Sequence, residues 1–326
     1  MARSVAIVGA GQIGFAAAFA FRDRGWDVCV YARSKPQWHD RLLFRFKPHT
    51  LGNDPAPAAD VVLDTIAFDA EDIERYDPET VGRLIVISSA SVYRDDEGRT
   101  LDEAAQNGFP DFSGPITEEQ ATVAPGPDTY STRKVRMENK ALELFADRAT
   151  ILRPCAIYGP WSRHPREWWF VKRMLDERRR IPLIHGGRSQ FQTTDVNDIA
   201  YLAVDVAEQE LSGIYNVADE GCPTVLEIGE VLGWGFNNPP ELVPVDTPGL
   251  VGRTPWSVEK PFTVSNTKMI AAGYDLPSTY GSGVLMAGEW LRDFPPADWR
   301  ASFPQLAAYP WDLFDYAAED AYLEKL

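Results

Sequence analysis

Apolar residues in the first half of the chain fall into short runs separated by stretches long enough for helices. Ser4 to Val8 is an apolar, partly β-branched run. The glycine turn Gly9-Ala-Gly-Gln-Ile-Gly14 follows it and opens into the alanine-rich stretch Phe15 to Arg24, so the pattern predicts strand, tight turn and helix. Asp27 to Tyr31, Asp60 to Asp64, Arg83 to Ile87 and Ala149 to Arg153 are further short buried strands, and Thr129 to Arg148 is a polar-faced helix. Strands that alternate with helices build a parallel sheet covered on both faces. Tyr93 to Pro127 is rich in Asp, Gly and Pro and is expected as an irregular segment over the strand ends, where substrates are usually met.

The second half reads differently. Helices are expected over Pro165 to Arg180, Val196 to Gln209 and Thr224 to Leu232, with a strand over Gly213 to Val217. Proline and glycine clusters at Asn237 to Pro240 and Thr247 to Pro255 mark loops. The tail from Phe294 is rich in Trp, Tyr and Asp and ends in a short amphipathic helix over Trp311 to Leu326; packing on the body and forming an interface are equal readings of it.

The 326 residues suffice for one large or two closely joined domains. A formal net charge of −16 argues against non-specific binding to nucleic acid or an anionic membrane. The three cysteines, Cys29, Cys155 and Cys222, are far apart and odd in number, so a reducing cytoplasmic setting is expected. Met1, Ala2 and Arg3 before a small-residue apolar run imitate a secretory signal, but the glycine spacing and the following strand explain that run better. No stretch reaches the roughly eighteen uninterrupted apolar residues of a membrane span, and no acidic or histidine cluster has metal-ligand spacing.

The glycine turn carries the first chemistry. Gly9 permits the turn, Gly11 lets a pyrophosphate approach the backbone and Gly14 lets the helix lie close on the strand. With Gln12 and Ile13 they are expected to form a dinucleotide site at a helix N-terminus, the alternative being a merely structural turn. The acidic residue expected at the end of the second strand, where it would hold the ribose hydroxyls, is missing. The chain reads Ala32-Arg33-Ser34 instead, a guanidinium and a hydroxyl suited to a 2′-phosphate, so NADP(H) is expected over NAD(H). The plain alternative makes Arg33 a solvated loop charge.

The second constellation is Ile87-Ser-Ser-Ala-Ser-Val-Tyr93, which closes a buried strand with hydroxyls, together with Tyr130-Ser-Thr-Arg-Lys134 near a helix start. A spacing of four places Tyr130 and Lys134 on one helix face. A neighbouring ammonium favours the phenolate and lowers the tyrosine pKa, which suits general acid and base work beside a nicotinamide. Ser88 and Ser91 are read as hydroxyls that satisfy backbone groups.

Together with Arg153-Pro-Cys-Ala-Ile-Tyr-Gly-Pro160, these motifs in this order resemble the extended short-chain dehydrogenase/reductase superfamily, also called the NAD-dependent epimerase/dehydratase family. The likeness runs from residue 4 to about Asp198. It implies a Rossmann-type, doubly wound parallel α/β sheet over residues 1 to 160. A smaller C-terminal α/β substrate-binding part over 161 to 326 would return some segments to the core. By position, Tyr130 would be the general acid/base, Lys134 would hold the nicotinamide ribose and Ser89 would hydrogen-bond the reacting oxygen. Thr65, Ile66 and Ala67 would flank the cofactor, and Pro154 would lie near the carboxamide. A homodimer is expected on the same ground.

The departures from that family are as informative. Ala156 stands where nucleotide-sugar enzymes usually carry an asparagine, and Phe191 where an arginine would grip a pyrophosphate, with Arg188 out of register. Ala90-Ser91 replaces the Asp-Glu pair of sugar dehydratases. The basic and aromatic island Arg163 to Arg180 is expected to be a surface helix with charges outward and tryptophans in the core; its other reading is an anion site with Trp168 or Trp169 stacked on a ligand ring. The expected activity is an NADP(H)-dependent oxidoreductase interconverting a carbonyl and an alcohol on a small or medium-sized substrate. Its rivals are an epimerase with tightly bound NAD and a non-catalytic sensor.

Overall fold

The apolar runs of the first half lie side by side as strands in the computed structural model, which describes residues 3–38, 44–237, 239–246, 249–274 and 279–326. Met1 and Ala2 of the signal-like start, and Asn238, Thr247 and Pro248 of the two expected loops, lie outside the described residues. In chain order the first half comprises β1 (Ser4–Val8), α1 (Gln12–Asp23), β2 (Asp27–Ala32), β3 (Arg45–Pro48), β4 (Ala59–Asp64), α2 (Ala70–Ile73), β5 (Val81–Ile87), α3 (Ala104–Asn107), α4 (Tyr130–Phe145) and β6 (Ala149–Pro154). The second half adds β7 (Ala156–Tyr158), α5 (Trp168–Leu175), β8 (Arg180–Ile184), β9 (Thr193–Asp195), α6 (Val196–Glu208), β10 (Gly213–Val217), α7 (Val225–Gly235) and β11 (Glu241–Val245). It closes with α8 (Thr267–Ala271), α9 (Tyr280–Asp293), α10 (Trp299–Ser302), α11 (Pro304–Ala307) and α12 (Tyr316–Leu323).

The central sheet is a doubly wound, seven-stranded sheet in the order β10-β6-β5-β4-β1-β2-β3. Every pairing in it is parallel. Alternation along each strand feeds two cores: Val5, Ile7, Val61 and Leu63 pack on one face with α1 and α6, and Ala6, Val8, Val62 and Val86 pack on the other with Met137, Ala141 and Phe145 of α4. The strand order reverses between β1 and β4, and a crevice beyond the carboxyl ends of the strands is the usual ligand site at such a point. β10 and α6, both beyond residue 161, join this sheet and its helical layer. No helix among the described residues is long and apolar enough to cross a membrane.

Three expected elements change. The helix over Thr129 to Arg148 stops at Phe145, because Ala146 adopts a left-handed φ of 47° and Ala146–Arg148 tightens into a 3₁₀ turn. Thr129 is its N-cap, in a reciprocal pair with Thr132. The helix over Pro165 to Arg180 spans only Trp168–Leu175. Glu177 turns left-handed at φ 57°, and Arg180–Ile184 runs on as β8, paired in parallel with β11. A proline at 182 suits such a short outlying strand and not a helix interior. The tail helix is Tyr316–Leu323, and its Glu319 lies buried against Arg173 of α5, so the tail packs on the body.

Candidate functional site

The glycine turn shapes a cradle between β1 and β4. Gly9 has a φ of 109°, and a Cβ there would lie 2.1 Å from Thr65 Oγ1. A Cβ on Gly14 would lie 2.1 Å from the carbonyl oxygen of Gly9, so α1 can approach β1 only without a side chain there. Gly11 faces open space and is the N-cap of α1, with no side chain capping it. The free N–H groups and positive dipole end of α1 therefore face a space a pyrophosphate fits. Ile13 is buried in the core, whereas Gln12 opens onto the crevice with its side-chain oxygen unpartnered among the described residues. Arg33 and Ser34 are exposed past the end of β2, and Arg33 has no ion-pair partner among the described residues.

The carboxyl end of β4 is built by Asp64. Its buried carboxylate accepts the N–H groups of Ile66 and Ala67, both at 2.8 Å, and the Tyr76 hydroxyl at 2.6 Å. Burial pushes its pKa up. The Thr65 hydroxyl donates to the Val8 carbonyl at 3.0 Å. Ile66 faces outward, while Ala67 is buried with its carbonyl turned to Lys134.

β5 ends at Ile87, and the three serines beyond it diverge. Ser88 is buried and donates to Glu138, which also receives the Arg153 guanidinium, with Nε at 2.9 Å. Ser91 accepts from the Ser131 hydroxyl at 2.9 Å. Ser89 caps the 3₁₀ turn Ala90–Val92, its Oγ accepting the Ser91 N–H at 3.1 Å, and lines the crevice beside Tyr130. Both hydroxyls thus meet side chains, Glu138 and Ser131, where the sequence reading expected backbone groups.

Tyr130 opens α4 and is 44% exposed, and Lys134 follows one turn later at 6%. The ammonium donates to the carbonyls of Ala67 at 2.7 Å and Ile87 at 2.9 Å, and lies 5.8 Å from the Tyr130 ring centroid. Burial pushes Lys134 down to about 8. One sequence expectation is overturned here: the Tyr130 phenol is pushed up to about 12, not down. Desolvation at its hydroxyl end dominates, the Ser89 hydroxyl opposes it, and the ammonium is turned to two carbonyls.

A crevice of about 490 Å³ unites these parts, lined by Gln12, Ser89, Tyr130 and Pro154 from the sheet half and by His164 and Arg166 from the second half. In the sequence both residues belong to the basic and aromatic island, whose second reading is an anion site. The Arg166 guanidinium lies 5.8 Å over the Phe191 ring, which stacks on Phe262 at 5.3 Å and 16°. His164 Nε2 meets the Tyr309 hydroxyl at 3.2 Å, and burial and the Arg166 charge hold its pKa down at about 2, leaving it neutral. Trp168 and Trp169 are buried in the second core, so neither can stack on a ligand. The expectation that this helix turns all its charges outward fails at Arg173, which is buried against Glu319 and lies 3.5 Å from the Trp169 ring centroid. Arg188 lies outside this crevice, in an exposed pair with Asp246 at 2.9 Å.

Residues 56–218 match the model of the NAD-dependent epimerase/dehydratase family. Among solved structures, the dTDP-glucose 4,6-dehydratase of Bacillus anthracis in complex with NAD is 16% identical over 94% of this chain and 100% of its own, with a TM-score of 0.65. The UDP-glucuronic acid 4-epimerase of Bacillus cereus, in complex with UDP-glucuronic acid and NAD, is 15% identical over 89% and 99%, with a TM-score of 0.66. A putative epimerase from Burkholderia cenocepacia is 19% identical over 89% and 98%, at 0.66. Likeness at these identities shows the fold alone. No curated protein matches the chain by sequence.

Proposed function

Because the chain belongs to the NAD-dependent epimerase/dehydratase family, we propose that it is an NADP(H)-dependent oxidoreductase interconverting a carbonyl and an alcohol on a small or medium-sized substrate. One observation carries this reading: the start of α1, Ser89 and Tyr130 open onto a single crevice, with Lys134 buried behind the tyrosine. The glycine turn and the N-terminus of α1 would hold the dinucleotide's pyrophosphate, and the carboxyl ends of β4 and β5 would flank its nicotinamide end. When bound, the nicotinamide supplies or takes up the hydride.

The chain's own residues do the rest. Ser89 hydrogen-bonds the reacting oxygen and Tyr130 moves the proton. A phenol pushed up to about 12 is protonated at neutral pH, as an ordinary tyrosine is, and can donate the proton of a carbonyl reduction. Lys134 joins the ends of β4 and β5 to α4 through two carbonyls and so sets the place of Tyr130. Arg33 and Ser34, exposed past the end of β2, favour a ribose 2′-phosphate.

An epimerase working through a transient ketone would use the same tyrosine and serine. Against a nucleotide sugar stand Phe191, stacked where a cation was expected, and Arg188, turned to Asp246. Against a sugar dehydratase stand the buried Ala90 and the hydrogen-bonded Ser91. The test is oxidation of NADPH against a panel of aldehydes and ketones by the wild type and Tyr130→Phe. Turnover lost in the variant with NADPH binding kept supports the proposal, and turnover retained by the variant overturns it.

A further inference from the structure

We propose that Arg166 is a specificity-determining anion anchor, so that the substrate carries a carboxylate or phosphate group beside its reacting carbonyl; this rests on the reductase reading of the crevice. In a chain with 48 acidic and 32 basic residues, a partly buried guanidinium readily finds a counterion. The other buried arginines have one: Arg153 is paired with Glu138 and Arg173 with Glu319. Arg166 makes no ion pair within 4.0 Å among the described residues, although its charge reaches the neighbouring buried Glu167 carboxyl, and its Nε is buried with no hydrogen-bond partner there.

It does have a position. The guanidinium lies over Phe191, whose ring is backed by Phe262, on the wall of the crevice that also holds Ser89 and Tyr130. Among the described lining residues it is the one cation, since Lys134 lies behind with its ammonium on two carbonyls and His164 is neutral. Asp102, the acid on the same crevice, accepts the Ser131 N–H at 2.8 Å. A planar guanidinium shielded by aromatic rings and left with free donors matches an oxyanion, taken two bonds at a time. One such group fits one carboxylate or phosphate. The charge comes from the segment before α5, while the place before the late helix, where the resemblance puts an arginine, holds the ring beneath it.

The test is calorimetric binding of acetate, benzoate and inorganic phosphate to protein saturated with NADPH, which covers the phosphate-binding end of α1. At least one of these anions is expected to bind the wild type, about tenfold more weakly to Arg166→Gln, with partial recovery in Arg166→Lys and unchanged affinity in Tyr130→Phe. Equal affinities for wild type and Arg166→Gln, or no binding of any of the three to the wild type, overturn the anchor. Turnover of benzaldehyde and 4-carboxybenzaldehyde is read separately. Arg166-dependent binding without turnover keeps the anchor and removes the reductase, and turnover without such binding does the reverse.

Discussion

The two walls of the crevice are built on opposite plans. On the sheet side a network ties the polar groups around Tyr130: Lys134 holds two carbonyls, Ser88 and Arg153 share Glu138, and Ser131 holds Ser91, while the Gln12 side-chain oxygen has no partner among the described residues. On the side made by the second half, the Nε of Arg166 is buried without a hydrogen-bond partner among the described residues. A satisfied network fixes the place of Tyr130 and Ser89, as proton transfer to a fixed oxygen requires. An unpaired donor costs stability until a ligand meets it. On the proposed reading, the sheet wall carries the reaction and the other wall the choice of substrate.

The strongest break of this division is Tyr130→Phe, which should lower kcat by roughly 10²- to 10⁴-fold in steady-state assays while a fluorescence titration shows unchanged NADPH affinity. Next comes a matched pair, one change on each wall. Glu138→Ala leaves Arg153 buried without its partner and should cost about 3–5 kcal/mol in urea denaturation. Arg166→Gln, which removes a donor that has no partner, should cost no more than about 1 kcal/mol without ligand. Equal costs would erase the distinction between the walls.

Glu167 sharpens it through pH. Burial lifts its carboxyl from the ordinary 4.5 to about 7, so between these values the folded chain keeps a proton that the unfolded chain releases. Its contribution to stability is present below 4.5 and lost as pH rises through 7. Glu167→Gln should therefore match the wild type near pH 4 and exceed it by on the order of 2 kcal/mol at pH 8, read by thermal melts across that range. A variant advantage that shrinks with rising pH would contradict the assignment. The smallest effect is outside the crevice: Arg33→Ala should weaken NADPH about tenfold and leave NADH unchanged in the same fluorescence titration.

The sheet was legible because β1, β2, β4, β5 and β6 are covered on both faces and so read as continuous apolar runs. β3 was not, since Arg45–Pro48 is a largely exposed edge with charges in its short pattern. β8 and β11 each contain a proline and pair with each other across about sixty residues, so neither local periodicity nor neighbouring sequence signals them. The site divides in the same way. Tyr130 and Lys134 announce themselves by a spacing of four on one helix, and Ser89 by its place at a strand end. Glu138 could have been found as the acid one turn beyond Lys134, but its partner Arg153 is set by how α4 packs on β6. The meeting of His164 with Tyr309 joins residues 145 apart and leaves no local trace.

A reductase of the proposed kind takes up NADP(H) and releases it. The direct measurement is to identify the nucleotide on the purified protein and follow its exchange with free NADPH and NADH. Weakly held, exchangeable NADP(H) is the expected result. Tightly retained NAD that does not exchange would contradict it and favour epimerase chemistry in the same crevice.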